Sequence, residues 1–230
     1  VAGNTNCVGS VEYGYSGDGG PATQAKLWGP RGIAMAADGS LYIADSGNNR
    51  IRRVGPDGII TTVAGMGGEC YYYADDIGDG GPATQAELCW PTDVAIASDG
   101  SLYIADTNHS RIRQVSPDGI ISTMAGTVGS GYRGDGGLAT QALLHAPEGI
   151  AVGPDNSLYI LDTNNHRVRK VDTDGIITTV AGSDECCDSG NGGLATQAWL
   201  GYPNRITVAS DGSFYVTQHL GHSIRLVSPK

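Results

Sequence analysis

Basic residues are scarce in this chain of 230 residues: 14 Lys and Arg stand against 24 Asp and Glu, a formal net charge of −10. Recognition of nucleic acid or of an anionic membrane surface needs clustered cations, so neither partner is expected. No apolar run approaches the ~18 residues that read as a membrane span, so no membrane insertion is expected. No pair of cysteines has the C-x-x-C spacing of a zinc site. No Gly-x-Ser-x-Gly or His-Glu-x-x-His string occurs, and no glycine-rich stretch leads into Lys-Ser/Thr, so hydrolase and phosphate-loop readings have nothing to rest on. Phenylalanine occurs once, at Phe214.

Glycine, in contrast, occurs 36 times with no three-residue period, and apolar residues make up 40% of the chain. That combination excludes collagen and suits many short strands joined by tight turns. The glycines belong to a repeat. The string Gly17-Asp18-Gly19-Gly20-Pro21-Ala22-Thr23-Gln24-Ala25 returns at 78–86, at 134–142 with Leu138 for Pro, and at 190–198 with Asn191 for Asp and Leu194 for Pro. Leu41-Tyr42-Ile43-Ala44-Asp45 returns at 102–106, at 158–162, and as Phe214 to Gln218. Asp18 to Asp38 is 20 residues, as in the other three units, and Asp38 to Val63 is 25, as from Asp99 to Met124 and from Asp155 to Val180. Length varies only between the Val-Ala-Gly end of one unit and the next Gly-Asp-Gly-Gly string, where a surface loop absorbs the change.

Each unit reads as four strands: 32–36, 40–45, 50–54 and 59–64 in the first. Asp38-Gly39 and Pro56-Asp57-Gly58 supply turns in which glycine takes φ > 0 freely. Pro21 to Leu27 and its equivalents suit a short helix in each insert between units. A four-stranded antiparallel meander repeated in this way is a β-propeller blade, so the fold class is all-β. A blade cannot bury both faces alone, so the units, approximately 1–62, 63–123, 124–179 and 180–230, form one domain.

Asn49-Arg50-Ile51 and Asn165-His166-Arg167-Val168, each after Asp-Ser or Asp-Thr, resemble the signature of the NHL-repeat family, as does the Gly-Ile-Ala-x-x-x-Asp-Gly-Ser-Leu-Tyr-Ile-Ala-Asp frame. The resemblance covers nearly the whole chain. With the Gly-Asp-Gly-Gly-Pro-Ala-Thr-Gln-Ala segment it is similar to a long-repeat subgroup of secreted or cell-surface multidomain proteins. The resemblance implies a propeller, usually six-bladed, used mainly to recognise proteins or ligands, so these four units could be part of a larger ring. It also extends to enzymes of the wider class, amidating lyases and lactonases that hold a metal in the channel.

Several residues are candidates for chemistry. Asp45, Asp106 and Asp162 are each followed five residues later by Arg50, Arg111 or Arg167. In the last unit Gln218 and Ser223 replace the acid and the arginine together, so the spacing predicts structural pairs across the turn. Asp18, Asp79 and Asp135 are candidates for calcium, but one acid per unit among glycines falls short of the six to eight oxygens the ion takes, and capping the short helix is the simpler expectation. No cofactor is therefore expected. The units differ after their common proline, at Arg31, Asp93, Glu148, Asn204 and Arg205, where the first strand begins. These five are the candidate ligand-binding residues of a polar channel mouth. Histidines 109, 145, 166, 219 and 222 share no common slot that would ring a metal. Asn108-His109-Ser110 is a glycosylation acceptor string in a secreted protein.

Disulfides are the favoured reading of the cysteines, with free thiols as the alternative. Cys70 and Cys89 would close a loop within one insert, and Cys7 would meet Cys186 or Cys187 if the ring closes. The fourth strand of the last unit is short of residues, which points to a segment of a longer propeller, a closed four-blade ring, or pairing with another subunit at a blade edge. Three functions follow: a non-catalytic extracellular or cell-surface recognition propeller binding a protein, peptide or small ligand, a metal-dependent propeller enzyme, or a self-assembling structural subunit.

Overall fold

A computed structural model describes residues 2, 3, 14–72, 75, 77–184 and 190–228. Fifteen strands form four antiparallel sheets in chain order. Blade 1 holds β1 (Pro30–Met35), β2 (Leu41–Asp45), β3 (Arg50–Val54) and β4 (Ile60–Ala64). Blade 2 holds β5 (Pro91–Ile96), β6 (Leu102–Asp106), β7 (Arg111–Val115) and β8 (Ile121–Ala125). Blade 3 holds β9 (Gly149–Val152), β10 (Leu158–Asp162), β11 (Arg167–Val171) and β12 (Ile177–Ala181). Blade 4 holds β13 (Pro203–Val208), β14 (Phe214–Gln218) and β15 (Ser223–Val227). The first strands touch in order, β1 on β5, β5 on β9 and β9 on β13, which is the arrangement of propeller blades about an axis.

The turns follow from their residues. Ala36 N–H bonds Ser40 C=O and Gly39 N–H returns to Ala36 C=O, with Gly39 at φ +84°. That is a three-residue hairpin loop ending in a left-handed residue. The Asp38 carboxylate completes it by accepting from Ser40 N–H (2.8 Å) and Ser40 Oγ (2.9 Å). The expected helix is a single 3-10 turn, Ala22–Gln24, and the same turn forms at Ala83–Gln85, Ala139–Gln141 and Ala195–Gln197. The insert that carries it runs along the fourth strand of its own blade. Gly19 N–H bonds Ile60 C=O, Ile60 N–H bonds Gly20 C=O, and Ala22 N–H bonds Gly58 C=O. Gly65 N–H, just past β4, reaches Ala83 C=O of the next insert, so each insert is wedged between consecutive blades.

The core lies between blades. Ala44, Ile51 and Ala64 of blade 1 pack on Val94, Ile104 and Ile121 of blade 2 and on Ala83, Ala86 and Leu88 of the insert between them. The contact repeats with Ala105, Ile112 and Ala125 against Ile150, Ile160 and Ile177. A hydroxyl staple accompanies each contact: Ser46 Oγ donates to Pro91 C=O (2.6 Å), Thr107 Oγ1 to Pro147 C=O (2.7 Å) and Thr163 Oγ1 to Pro203 C=O (2.8 Å). The two outer faces are left open. Ile33 is 64% exposed where its equivalents Val94 and Ile150 are 3% and 4%. Ile224 is 68% exposed where Ile51, Ile112 and Val168 are wholly buried. Blades 1 and 4 therefore do not cover one another, and the four form an arc.

Candidate functional site

Asp45, Asp106 and Asp162 are wholly buried, and each holds the entry to its blade. Asp45 Oδ1 accepts from Trp28 N–H (2.7 Å), and Oδ2 from Asn48 Nδ2 (2.8 Å) and Arg52 (3.3 Å). Asp106 takes Cys89 N–H (2.7 Å), His109 Nδ1 (2.8 Å) and Arg113 (3.5 Å). Asp162 takes His145 N–H (2.7 Å), Asn165 (2.8 Å) and Arg169 (3.3 Å). The bond across the turn is present, but the arginine differs from the one expected: it lies seven residues on, not five. Arg50, Arg111 and Arg167 stand at the rim of the ladder, opposite the acids in backbone register. Arg50 bonds Asn48 C=O (3.0 Å) and lies over the Tyr15 ring (3.7 Å), and Arg167 pairs with Asp184 (2.7 Å). Arg52, Arg113 and Arg169 sit one side-chain pair deeper on the same sheet face and are wholly buried. A guanidinium there needs charge partners.

The second partner is the acid of the Gly-Asp-Gly-Gly string. Arg113 reaches Asp79 (2.6 Å) and Arg169 reaches Asp135 (2.6 Å); Arg52 holds Asp18 in the same way. These acids do not cap the 3-10 turns, which have no side-chain cap bond. Each of them faces a buried guanidinium instead. Burial pushes the Asp18 carboxyl up, but Tyr15, Thr62 and Arg52 outweigh it and hold the group below its usual range. Among the described residues no three His, Cys, Asp or Glu side chains group as a metal site.

The five residues at the channel mouth separate into different settings. Asp93 is 7% exposed and wedged between blades: its Oδ2 accepts from Ile150 N–H (3.1 Å), and a Cβ at Gly32 of blade 1 would fall on its Oδ1. Gly32 is therefore the residue that makes room for Asp93. Burial raises the Asp93 carboxyl to about 6, against the opposing pull of Ile150 N–H, Arg205 and Val94 N–H. Arg205 donates to Asn204 C=O (2.8 Å), and Asn204 Oδ1 accepts from Thr217 Oγ1 (2.6 Å). Glu148 is half-buried, with its carbonyl accepting from Thr92 Oγ1 (2.9 Å). Arg31 leans away to lie over the Trp90 ring (5.7 Å). The mouth thus gathers Asp93 and Arg205, while Arg31 turns to Trp90, which lines a neighbouring feature.

That feature is a cleft of about 620 Å³ at the blade 1–blade 2 junction, lined by Trp28, Trp90, Tyr72, Asn49, Arg50 and Asn108 among others. Trp28 is 40% and Tyr72 59% exposed. The Cys70–Cys89 disulfide, with Cα atoms 5.4 Å apart, pins the insert loop beside it. That pairing is the one expected from the sequence. Cys7, Cys186 and Cys187 lie outside the described residues. Trp90 N–H donates to Asn49 Oδ1 (2.7 Å), and Asn49 Nδ2 to Gly68 C=O (2.8 Å). Trp90 has φ +53°, a left-handed backbone that costs a bulky residue about 1–2 kcal/mol. The equivalent residues are Gly29, Ala146 and Tyr202, all left-handed. Glycine meets that demand without strain, so the tryptophan is held there by its surroundings. Sequence reasoning passed over this cleft because its aromatics do not repeat; the signal was Trp90 and Tyr202 standing in the slot of Gly29.

The blades, the turn signature and the inserts define an NHL-type β-propeller. The family model "Teneurin NHL domain" matches residues 1–70, 62–132 and 127–189, and the chain belongs to that family. Mouse Teneurin-1 is 31% identical over 248 residues, covering 99% of this chain and 9% of that protein, so the chain corresponds to a small part of such relatives. Among solved structures, a structural genomics protein of unknown function from Bacteroides thetaiotaomicron matches with a TM-score of 0.67 and 25% identity, over 86% of this chain and 46% of its own. A streptogramin B lyase matches with a TM-score of 0.57 and 18% identity, over 87% of this chain and 51% of its own, a likeness of fold alone.

Proposed function

We propose that the chain is a non-catalytic recognition propeller, at the cell surface or outside the cell, whose aromatic cleft between blades 1 and 2 takes a loop or extended peptide of a protein partner. One observation carries this reading: a tryptophan is kept in a strained left-handed conformation beside a second, exposed tryptophan. Strain retained at a half-buried aromatic on the wall of an open cleft points to a binding role. Trp and Tyr are the side chains that dominate interface energetics, and Arg50, Asn49 and Asn108 add polar groups at the same wall. The Cys70–Cys89 disulfide suits an oxidising compartment, which supports the location. No described helix is long and apolar enough to cross a membrane. No described feature supports the enzyme reading beyond the fold it shares with a lyase.

A peptide library selected on the immobilised protein tests this. Counter-selection uses a Trp28→Ala/Trp90→Gly variant, which removes both aromatics and gives the turn the glycine that blade 1 carries at Gly29. Enriched peptides should bind the parent at least tenfold more tightly than the variant. Equal binding to both, or no enrichment, refutes the cleft.

A further inference from the structure

We infer that His109 is a positioning residue for the aromatic cleft: in its protonated form it holds the wall made by Tyr71 and Tyr72, and it releases that wall when it gives up the proton. This role rests on the binding function proposed for the cleft, although its first readout needs no partner. Two residues set unit 2 apart. His109 stands where units 1 and 3 carry Asn48 and Asn165, and Glu87 stands where the other units carry Lys26, Leu143 and Trp199. Asn48 donates to Asp45 and to Gly14 C=O, and Asn165 donates to Asp162 and to Gly131 C=O. His109 keeps the first of these bonds, Nδ1 to Asp106 Oδ2 at 2.8 Å. Its other nitrogen, Nε2, turns to Glu87 Oε1 at 3.4 Å, with the ring 1% and the Glu87 side chain 14% exposed. Glu87 Oε1 also accepts from Tyr71 N–H (2.9 Å). A line of contacts thus runs from the buried acid of blade 2 to the loop beside the cleft. The disulfide fixes Cys70, Glu87 fixes the peptide that follows, and Tyr72 beyond it lines the cleft.

The geometry calls for a charged ring. Asp106 Oδ2 also accepts from Arg113, and Glu87 Oε1 from Tyr71 N–H, so both oxygens that face His109 are acceptors. A neutral imidazole has one donor and an imidazolium has two. With Nδ1–H given to Asp106, a neutral ring would aim a lone pair at Glu87 from a buried nitrogen that makes no hydrogen bond to any described residue, a costly arrangement. The charged groups around the ring are Asp106 at the end of β6, Glu87 on the insert and Arg113 on β7, which Asp79 engages in turn. Arg111, also on β7, lies within the field of Asp106, Asp79 and Asp75. Burial favours the neutral ring, but Asp106 and Glu87 outweigh it and the opposing Arg113, so His109 holds its proton above the ordinary histidine value. The folded-state value thus exceeds the unfolded one. The hold is complete below the ordinary value and is lost as pH rises through the folded value. Once the proton leaves, the partly exposed Glu87 turns to water and Tyr71 N–H loses its acceptor.

The test follows hydrogen exchange of the Tyr71 amide in the free protein from about pH 5 to 9, with intrinsic exchange rates divided out, beside an NMR titration of the His109 ring. Tyr71 protection should fall about tenfold or more as the ring titrates, and both should share a midpoint above about 6.5. His109→Asn installs the residue of units 1 and 3, which keeps the bond to the strand acid, so the fold is retained; Tyr71 protection should then be low and independent of pH. Glu87→Gln keeps an acceptor for Tyr71 without the charge, so protection should persist and its pH dependence disappear. Protection that is flat with pH in the parent, or that falls equally in His109→Asn, overturns the inference, as does a ring that titrates below about 6.5. Binding is the second readout. A peptide selected on the cleft should bind the parent about fivefold more weakly above the midpoint, and His109→Asn equally across the range. Binding to the parent that is flat with pH overturns the link to the cleft. If no peptide is selected, the recognition reading falls by itself, and Tyr71 exchange still decides the role of His109.

Discussion

Asp106→Ala offers a quantitative test of the buried acid–arginine clusters. The carboxylate and the Arg113 side chain are both wholly buried. Truncation leaves Cys89 N–H without its acceptor, a loss of about 1–3 kcal/mol for a buried donor. It also removes one of two acids from Arg113. Breaking a buried pair outright costs about 3–5 kcal/mol, but Asp79 stays in place at 2.6 Å, so the lower end applies. We expect a total near 4 kcal/mol. Asp184→Ala is the control: it breaks the Arg167 pair at a side chain 81% exposed, and exposed pairs contribute under about 1 kcal/mol. The assay is equilibrium urea unfolding, read by tryptophan fluorescence and far-ultraviolet circular dichroism, whose curves must coincide for a free energy to be defined in a repeat protein. A double-mutant cycle separates the two arginines. Asp106→Ala with Arg113→Met should show coupling of more than about 1 kcal/mol, and more than with Arg111→Met. A loss below about 1 kcal/mol for Asp106→Ala, or stronger coupling to Arg111, refutes the assignment.

Two further outcomes follow from burial and covalent structure. The Asp93 carboxyl lies at about 6 in the folded chain against a usual value of 3.8, so between those values the folded state binds more protons than the unfolded state. Stability attributable to Asp93 therefore falls as pH rises through that window, by at most about 3 kcal/mol. Asp93→Asn should flatten the decline and stabilise the protein at neutral pH by about 1–2 kcal/mol, measured as urea midpoints from about pH 4 to 8; an unchanged slope counts against it. Opening the Cys70–Cys89 loop, with a sequence separation of 19, by Cys70→Ser/Cys89→Ser should cost about 3 kcal/mol. Thiol titration of the denatured, unreduced chain should find at most three of the five thiols free, and one if Cys7 pairs with Cys186 or Cys187; five would refute both disulfides.

The blades were legible because each turn repeats its own chemistry. Asp38-Gly39 recurs as Asp99-Gly100, Asp155-Asn156 and Asp211-Gly212, and each closes a hairpin with its aspartate on the following serine. The arginine partners were misread for a traceable reason. The first three units carry arginine both five and seven residues after the acid, and the joint change to Gln218 and Ser223 drew attention to the nearer one. Those two residues do touch, Ser223 Oγ to Gln218 Oε1 at 2.9 Å, so their covariation reports a real contact of the rim. The deeper arginine was signalled otherwise. Arg52 lies inside a strand whose neighbours Ile51 and Val54 are apolar, where a side chain turned inward must find charge. Asn191 replaces the insert acid in the unit where Gln218 replaces the strand acid, a double loss around one guanidinium position, Arg225. At the channel mouth one residue, Arg31, is placed differently from the expectation. Alignment places Arg31 and Arg205 near the start of their inner strands, but side-chain direction is set by neighbours, and Trp90 draws Arg31 outward.

Unit 4 departs from its siblings at positions that share one purpose. Ser46, Thr107 and Thr163 each staple their blade to the proline carbonyl of the next, and His219 stands in that place in unit 4. Gln218 and Asn191 replace the two acids that hold the buried arginine of each earlier blade. Ile224 keeps an aliphatic side chain on the face that follows, in line with Ile51, Ile112 and Val168, and is 68% exposed. The apolar part of the inter-blade contact therefore persists on blade 4 while its polar fixing points are gone. Apolar burial is non-directional, whereas a staple and a two-acid cluster set the distance and angle between sheets. A surface that keeps the first and lacks the second can still be covered, but nothing in its chemistry holds the cover to the geometry of the three inner junctions. Rigid spacing is thus concentrated in the three junctions that join blades 1 to 4, and the aromatic cleft, built from Trp28, Trp90 and the disulfide-tied loop, lies at the first of them.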